Sequence, residues 1–377
     1  MERVLMVGPV PPPFGGIASI MHDLVHSNLQ DDYEIKVFER IPKERFPPKA
    51  QGRVRAIVFR IGRFLRFFSE LRKGKYSLVH IHSSDTAEFL GTTVFMLLAR
   101  VARSRVLLHI QGGDWNEFYT YHSLLRRLCT RVGLYVPHGT VVVHAEWIDR
   151  IKEMYPAANV RIIRNLLHDQ ASCDAGEVEK LRGNLGLSKD NFVIVSVGAV
   201  GWRKGSFEIL KAVPQIVSEE DSVRFILVGG ESKPGDMGRL KQIIDSEKLE
   251  QWVRLTGEVE RDKIPLYLAL GHVFLLPSFI EGMPVSIIEA MRSGLPIIST
   301  RVQGIPDIIS NRVSGILIDP GNPPQIAESV LLLKRDEQLR RKMAEGARRT
   351  FHEQFEFSRG IEEFRALYEE IINSRAK

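Results

Sequence analysis

The stretch HVFLLPSFIEGMPVSIIEAMRSGLPIIST, residues 272–300, contains a complete strand–helix–strand unit. The apolar run HVFLLPS predicts a strand that ends at Pro277. Pro284 suits the first turn of the following helix, because the N–H that proline lacks is not needed there. Gly294 is a natural C-terminal stop for that helix, and the apolar run PIIST follows it. The stretch therefore predicts two parallel strands of a buried sheet joined by a helix.

The same alternation of apolar strands and helices occurs on both sides of this stretch. The first half of the chain contains RVLMVG, EIKVF, LVHIH, VLLHI and TVVVHA, and the second half contains FVIVSVGAV, VRFILVGG, VRLTGEV and GILIDP. This pattern predicts an α/β protein with two doubly wound parallel-sheet domains, at 1–167 and 185–354. The polar segment 168–180 is interpreted as linker, and residues 355–377 as a final helix. Ligands of such sheets bind at the carboxyl ends of the strands, so we expect a cleft between two facing domains.

Composition limits the class of protein and of partner. The chain has 377 residues, a net charge of +6 and two cysteines, which indicate free thiols rather than a disulfide framework. The positive charge favours anionic partners, among which phosphates, nucleic acid and acidic lipid stay open at this point. No apolar run is long enough to span a bilayer. The first residues lead directly into a strand without a signal peptide, which predicts a cytoplasmic protein.

Two glutamates in the opening stretch are candidate ligand groups. Glu281 lies on the loop before the predicted helix, and Glu289 lies in its second turn. A helix N-terminus binds anions through its N–H groups and dipole, whereas carboxylates repel phosphate and accept hydrogen bonds from sugar hydroxyls. The pattern thus fits a nucleotide sugar, although two acidic residues at this spacing also fit a surface helix with a capping glutamate. The predicted anion site comprises the residues at the start of the helix, which are Gly282, Met283, Pro284 and Val285.

The whole stretch resembles the signature of the retaining glycosyltransferases of family 4, also called group 1. That signature reads Pro-Ser, Glu-Gly-x-Pro, Glu-Ala-Met and Gly-x-Pro, and the chain has each part between Pro277 and Pro296. The resemblance implies the GT-B fold, in which two Rossmann-like domains face each other across the active site and the last helix returns to the first domain. It also implies that Glu281 contacts the donor sugar and Glu289 the ribose.

A second candidate segment is VGAVGWRKG, residues 197–205, after the first strand of the second domain. Arg203 and Lys204 on this glycine-rich turn could bring positive charge to a diphosphate, and a solvated basic turn is the alternative. The resemblance implies that Lys204 binds the diphosphate. Where family members often carry Arg, this chain has Ala199, and we expect Arg203 to substitute. The resemblance also places the backbone of Gly257 at the nucleobase.

The first domain offers two glycine-containing loops. Gly15 and Gly16 follow the first strand, and the resemblance implies a loop that closes over the donor phosphates, with an ordinary loop as the alternative. In VLLHIQGGDW, residues 106–115, family members often have a histidine where this chain has Gln111. Glutamine can hold a hydroxyl but cannot take a proton. His109, two residues earlier, is either catalytic or a hydrogen-bonded core histidine.

Residues 51–75 combine arginines with aromatic and aliphatic residues. On a helix, one apolar stripe is expected, made of Ile57, Ile61, Phe64, Leu65, Phe68 and Leu71. Basic amphipathic helices of this kind can lie on an anionic membrane. The alternative is that the stripe packs on the sheet and the arginines are solvated.

The sequence as a whole predicts a retaining glycosyltransferase that uses a nucleotide-diphosphate sugar as donor and a glycan or lipid-linked molecule as acceptor. No Asp-x-Asp sequence occurs, so neither a metal nor another cofactor is expected. Nucleic acid is not expected as a partner. Association with the inner face of the cell membrane through residues 51–75 stays open beside its alternative, as described above. Two alternatives stay open, which are an epimerase acting on a nucleotide sugar and a non-catalytic nucleotide-sugar-binding protein.

Overall fold

The computed structural model describes residues 1–10, 16–40, 52–83, 86–112, 115, 119–120, 123–169 and 173–374. The chain divides into two compact units. Unit 1 comprises Met1–Leu166 and Ser358–Lys377, and unit 2 comprises Leu167–Phe357.

Unit 1 is a six-stranded parallel sheet with helices on both faces. The strand order is β2-β1-β3-β4-β5-β6. The strands are β1 (Glu2–Gly8), β2 (Tyr33–Glu39), β3 (Leu78–Ser83), β4 (Arg105–Ile110), β5 (Gly139–Val142) and β6 (Val160–Ile162). The helices are α1 (Gly16–Val25), α2 (Gly52–Gly74), α3 (Thr86–Val101), α4 (Leu124–Tyr135) and α5 (Ala145–Met154), together with the last helix, α13 (Phe357–Asn373).

Alternate residues of the unit 1 strands face two different environments. One face carries Val79, Ile81 and Leu108, which pack with α2, α3 and α4 in one apolar core. The other face carries the histidines between them, and there α13 contacts the sheet through a 2.7 Å hydrogen bond between the Tyr368 hydroxyl and His80 Nδ1. The last helix is therefore an integral part of the unit that contains the N-terminus.

Unit 2 is a second six-stranded parallel sheet, with strand order β12-β11-β10-β7-β8-β9. Its strands are β7 (Phe192–Val197), β8 (Val223–Val228), β9 (Val253–Leu255), β10 (Val273–Leu276), β11 (Ile297–Thr300) and β12 (Gly315–Ile318). Its helices are α6 (Ala175–Asn184), α7 (Ser206–Glu219), α8 (Asp236–Ser246), α9 (Ile264–Leu270), α10 (Val285–Arg292), α11 (Pro323–Arg335) and α12 (Glu337–Gln354). The two parallel sheets are those of the predicted doubly wound α/β class.

Part of the predicted linker 168–180 is wrong. Residues from Ala175 onward form α6, which belongs to unit 2. Asp174 caps the helix, because its Oδ1 accepts the backbone N–H of Glu177 at 2.9 Å. The polarity that suggests a linker belongs to a surface helix that buries none of its residues and has Asp174 as its N-cap.

The apolar stripe predicted for residues 51–75 divides between the core and the surface, and the side chain of Ile57 lies outside the described residues. Helix α2 forms, and among its described apolar side chains Phe67 and Leu71 are the buried ones. Ile61 and Leu65 are 53% and 64% exposed, so they lie away from the sheet. The helix has apolar residues on both faces, and a sequence pattern does not show which of them faces the core.

Candidate functional site

The candidate site of unit 2 lies where the strand order reverses. The chain runs β7, β8, β9 toward one edge of the sheet and then places β10 on the other side of β7. Such a reversal opens a crevice at the carboxyl ends of the two central strands, and ligands of open α/β sheets bind there. The turn after β7 carries Lys204, and the loop after β10 carries Glu281.

Close backbone packing joins these two segments. Gly205 has φ 72° and caps the N-terminus of α7, and a Cβ atom there would lie 2.0 Å from the carbonyl oxygen of Pro277. Only glycine fits both the left-handed conformation and the close approach. The backbone N–H of Phe279 donates to the Arg203 carbonyl at 2.9 Å. The lysine turn and the glutamate loop are thus held at a fixed spacing.

The side chains of Lys204 and Glu281 form an ion pair between these segments. Lys204 Nζ lies 2.5 Å from Glu281 Oε1, and the Ser278 hydroxyl donates to the same oxygen at 2.8 Å. Glu281 and Ser278 are buried, and Lys204 is mostly buried. Burial lowers the pKa of the Lys204 ammonium and Arg203 adds to that lowering, while the Glu281 carboxylate acts in the opposite direction. The pair therefore holds a cation and a carboxylate at the carboxyl edge of the sheet.

The glutamate loop has two further anchors. The Glu281 N–H donates to Gln303 Oε1 at 3.0 Å, and the Thr300 hydroxyl donates to the Ser278 carbonyl at 2.6 Å. Sequence reasoning assigned no role to Ser278, Thr300 or Gln303. Ser278 could have been found from its place three residues before Glu281. Thr300, the last residue of β11, and Gln303, which follows that strand, reach the loop only because β11 pairs with β10.

Helix α10 begins one residue later than predicted. Pro284 is the N-cap, with φ −69° and ψ 113°, and Val285 is the first helical residue. Gly282 and Val285 are partly exposed, and Met283 and Pro284 are buried. Glu289, the fifth residue of the helix, is half-buried. Gly294, with φ 71°, follows the C-cap as the sequence predicts.

The other predicted residues of unit 2 lie on the same sheet edge or beside it. Gly257, with φ 72°, follows β9, and its carbonyl accepts the Gly229 N–H at 3.0 Å. Arg203 is exposed. Its neighbour Trp202 stacks on Phe279, with ring centroids 4.8 Å apart and planes 12° from parallel. This aromatic pair borders the Lys204 turn and was not found from the sequence.

The carboxyl edge of the unit 1 sheet holds a buried histidine cluster. His80, His82 and His109 have ring centroids 4.4 to 5.5 Å apart. Gln111 Nε2 lies 3.4 Å from His109 Nε2 and 3.5 Å from His82 Nδ1. His109 also packs on Phe364 of α13 and is almost fully buried, which is the placement that the core alternative describes.

Burial governs the protonation of this cluster. Desolvation lowers the pKa of His82 to about 3 and those of His80 and His109 well below their ordinary value, so all three rings are neutral.

The same three histidines are a candidate set of metal ligands. Among the described residues, theirs are the side chains whose possible metal-binding atoms lie close together, within 4.8 Å of one another. His80 stacks at 26° on His82 and at 15° on His109, while His82 and His109 are tilted by 40°. The nitrogen lone pairs of His80 therefore lie in planes close to those of its two neighbours and do not converge with theirs on one point. This geometry does not fit the tetrahedral nitrogen set of a zinc site.

Of the two predicted glycines in the first loop, Gly16 is the first residue of α1, and Gly15 lies outside the described residues. Among the described helices, none combines the length and apolar character needed to cross a bilayer.

Comparisons with known proteins agree with this architecture. Residues 177–350 match the family model described as glycosyl transferases group 1. The chain is 25% identical over 233 residues to N-acetyl-alpha-D-glucosaminyl L-malate synthase of Bacillus anthracis, covering 62% of this chain and 59% of that protein. It is 25% identical over 327 residues to UDP-Gal:alpha-D-GlcNAc-diphosphoundecaprenol alpha-1,3-galactosyltransferase of Escherichia coli, covering 82% of this chain and 79% of that protein. The first of these alignments thus spans less than two thirds of the relative's length.

Among solved structures, Anabaena HepE in complex with UDP and glucose superposes with a TM-score of 0.79 at 17% identity, over 97% of this chain and 99% of that chain. At that identity the likeness shows the fold alone. The predicted GT-B fold is confirmed by this likeness together with the two six-stranded parallel sheets.

Proposed function

We propose that the protein transfers a sugar, with retention of anomeric configuration, from a nucleotide-diphosphate sugar to a glycan or lipid-linked acceptor. The match of residues 177–350 to the glycosyl transferases of group 1 supports this proposal. The observation that carries this proposal is the Lys204–Glu281 ion pair between the two loops at the strand reversal of unit 2. A nucleotide sugar combines a diphosphate, which needs a cation, with hydroxyl groups, which suit a carboxylate.

In the proposed reaction, the bond between the anomeric carbon and the diphosphate oxygen breaks while the acceptor hydroxyl oxygen forms a bond to the same carbon. The acceptor proton passes to the leaving nucleoside diphosphate, on which negative charge develops. Lys204 and the N–H groups at the start of α10 stabilise that charge electrostatically, and Arg203 adds a second cation. An ammonium has three N–H groups, so Lys204 can hold Glu281 and phosphate oxygens together. Glu281 contacts the donor sugar and Glu289 the ribose. No metal ion takes part in this scheme.

The names of similar proteins guide the choice of donor and acceptor. HepE is described in complex with UDP and glucose, and the name of the Escherichia coli relative contains a UDP-sugar and a diphosphoundecaprenol acceptor. We therefore propose a uridine diphosphate sugar as the donor, and a role in envelope polysaccharide or glycolipid synthesis at the cytoplasmic face of the cell membrane.

A ligand panel tests this function on the full chain. Thermal unfolding is measured with UDP, GDP, ADP and their common sugar conjugates, because a ligand that binds only the folded state raises the Tm. We expect one nucleotide series to raise the Tm, and its sugar conjugate to be cleaved slowly in water and faster with an acceptor lipid. If no conjugate shifts the Tm or is cleaved, the proposed transferase is wrong. If the conjugate binds and is converted only to its epimer, the epimerase alternative is correct.

The same assay tests the metal-independent scheme. Turnover is expected to stay within about twofold after EDTA treatment, because Lys204 and the helix N-terminus supply the positive charge. Complete loss of turnover with EDTA, followed by recovery with magnesium or manganese, would contradict this part of the proposal and leave the transferase itself standing.

A further inference from the structure

Helices α2, α3 and α4 are three of the helices that cover one face of the unit 1 sheet. The chain crosses from β2 to β3, from β3 to β4 and from β4 to β5 in the same direction, so right-handed connections place α2, α3 and α4 on the same face. Their inward residues, among them Phe67, Phe95 and Leu134, share one apolar core. Helix α4 approaches α3 closely at Gly133. A Cβ atom at this position would lie only 2.3 Å from the Thr93 hydroxyl oxygen, so a larger residue would not fit.

The outward face of this layer is apolar as well. Fifteen large apolar residues are exposed in the described part of the chain, and twelve of them belong to α2, α3 or α4. These twelve are Val58, Ile61, Leu65, Leu90, Val94, Leu97, Val101, Leu124, Leu125, Leu128, Val132 and Tyr135. On α3 they recur at helical spacing along one stripe. A surface helix of a globular protein normally places polar residues on its outer side. The exposed apolar residues therefore indicate that this face is an interaction surface.

Helix α4 has the most exposed apolar side chains. Five of its residues, from Leu124 to Tyr135, are between 51% and 78% exposed. Leu124, Leu128 and Val132 follow one another at intervals of four and therefore lie in one row along the helix. Tyr135 at the end of the helix has an apolar ring and a polar tip, which suits a boundary between water and lipid.

The charge of the layer identifies the kind of partner. Helices α2, α3 and α4 contain eleven Arg or Lys residues and two Glu residues, a formal charge of +9, whereas the whole chain carries +6. Helix α4 contains three arginines and no acidic residue. A second copy of the same face would bring two positive surfaces together, which is unfavourable. An anionic bilayer surface offers negative charge and an apolar layer in the same place.

We propose that the outer face of α2, α3 and α4 rests on an anionic lipid bilayer, with the leucines of α4 in the headgroup region. The inference rests on the proposed function in one respect, because it names the surface that holds the enzyme on the membrane where a lipid-linked acceptor lies. It differs from the expectation for residues 51–75 alone, since α2 uses Phe67 and Leu71 for the core and α4 supplies the most exposed row.

Vesicle sedimentation with the full chain tests the proposal. The protein is mixed with vesicles of phosphatidylcholine alone and with vesicles that contain phosphatidylglycerol, at low and high salt. We expect binding to the anionic vesicles only, weakened by salt because the basic residues are screened. The double variant L128E/V132E is expected to lose at least tenfold in binding. The control is V313E, because Val313 of unit 2 is 47% exposed and Val132 is 51% exposed.

Further measurements make every outcome decisive. Circular dichroism and the Tm shift caused by UDP report whether the variants fold, and L124E replaces the double variant if it does not fold. Vesicle binding that is unchanged in a folded variant, or reduced equally by V313E, overturns the proposal. A dimer that light scattering detects in the wild type and not in L128E/V132E would instead assign the face to a second copy. Sugar transfer to a soluble acceptor is measured in parallel. This assay does not need a membrane, so it distinguishes an inactive enzyme from an active enzyme that does not bind the bilayer through this face.

Discussion

The carboxyl edges of the two sheets have the same position in the fold and carry different chemistry. In unit 2 the edge holds a mostly buried ion pair, Lys204 and Glu281, tied to Ser278 and Gln303. In unit 1 it holds three neutral histidines, with His80 stacked on the other two, and Gln111. The difference follows from the neighbours, because the unit 2 carboxylate has a cation and a hydroxyl within hydrogen-bond distance, whereas the histidines are surrounded by rings and by α13.

The difference in charge gives a separate expectation for each edge in the proposed reaction. We expect the charged edge of unit 2 to stabilise a developing diphosphate, and Gln111 of unit 1 to position a hydroxyl group without attracting or repelling phosphate. The contrast predicts that substitutions in unit 2 mainly lower turnover and that substitutions in unit 1 mainly affect stability and selectivity.

The largest effect is expected for the ion pair. Lys204→Met should lower turnover about 10²–10³-fold, the range for loss of one donor to a developing anion. Glu281→Gln should also lower turnover. The increase in activation free energy of the double variant should be smaller than the sum of the two single increases, because the two side chains are in contact. Steady-state kinetics with the native donor and circular dichroism give the measurement.

The matched control is Lys211→Met on α7. Lys211 pairs with the buried Glu208 at 3.2 Å, in the same unit and with the same charge types. Turnover of this variant should stay within about twofold of wild type. Equal losses in Lys204→Met and Lys211→Met would show that general destabilisation, rather than a role in the reaction, explains the effect.

Acid stability gives the next largest difference between the units. His80, His82 and His109 are neutral in the folded protein, while in the unfolded chain they bind protons below about pH 6.5. The unfolded state therefore gains protons as the pH falls from about 6.5 toward 3, and the free energy of unfolding decreases by up to about 1.4 kcal/mol per pH unit for each histidine. Above pH 6.5 this loss is absent.

Unit 2 is the internal control for this prediction. There the pKa of His272 is lowered, to about 4, so fewer protons are coupled to its unfolding. Amide hydrogen exchange at pH 6.5 and pH 5.0, corrected for intrinsic rates, should show a larger loss of protection in β3 and β4 than in β7 and β10. Equal losses in both units would mean that the histidine cluster does not set the acid response.

The smallest effect is expected for Gln111. Gln111→Ala should weaken donor selectivity and change turnover by less than about tenfold, and Gln111→His should be tolerated, because an amide positions a hydroxyl and transfers no proton. The measurement is the kcat and KM of each variant with several donor sugars across pH 6 to 9.

His109→Ala makes the result for Gln111 interpretable. Because His109 is buried among His80, His82 and Phe364, its loss should lower the Tm more than the turnover of the folded fraction. A fully folded His109→Ala protein without turnover would place the catalytic histidine at position 109 and would remove the contrast between the two edges.

Much of the unit 2 site could be predicted from one short stretch. Pro284, Gly294 and the apolar runs around them specify β10, α10 and β11, because caps and strand periodicity are local properties. The pairing of Lys204 with Glu281 could not be predicted, because the two residues are 77 positions apart and meet through the adjacency of β7 and β10. The contacts from Thr300 and Gln303 were missed for the same reason.

The sequence by itself determined that this protein is an α/β chain with two parallel sheets and a glutamate loop before a capped helix. Those features depend on residue spacing and on the conformational limits of proline and glycine. Only the tertiary structure decided that Phe67 faces the core while Leu65 faces outward, and that three histidines from two strands share one buried cluster. Burial depends on which strands and helices lie side by side, and that choice is made by packing over the whole unit rather than by neighbours along the chain.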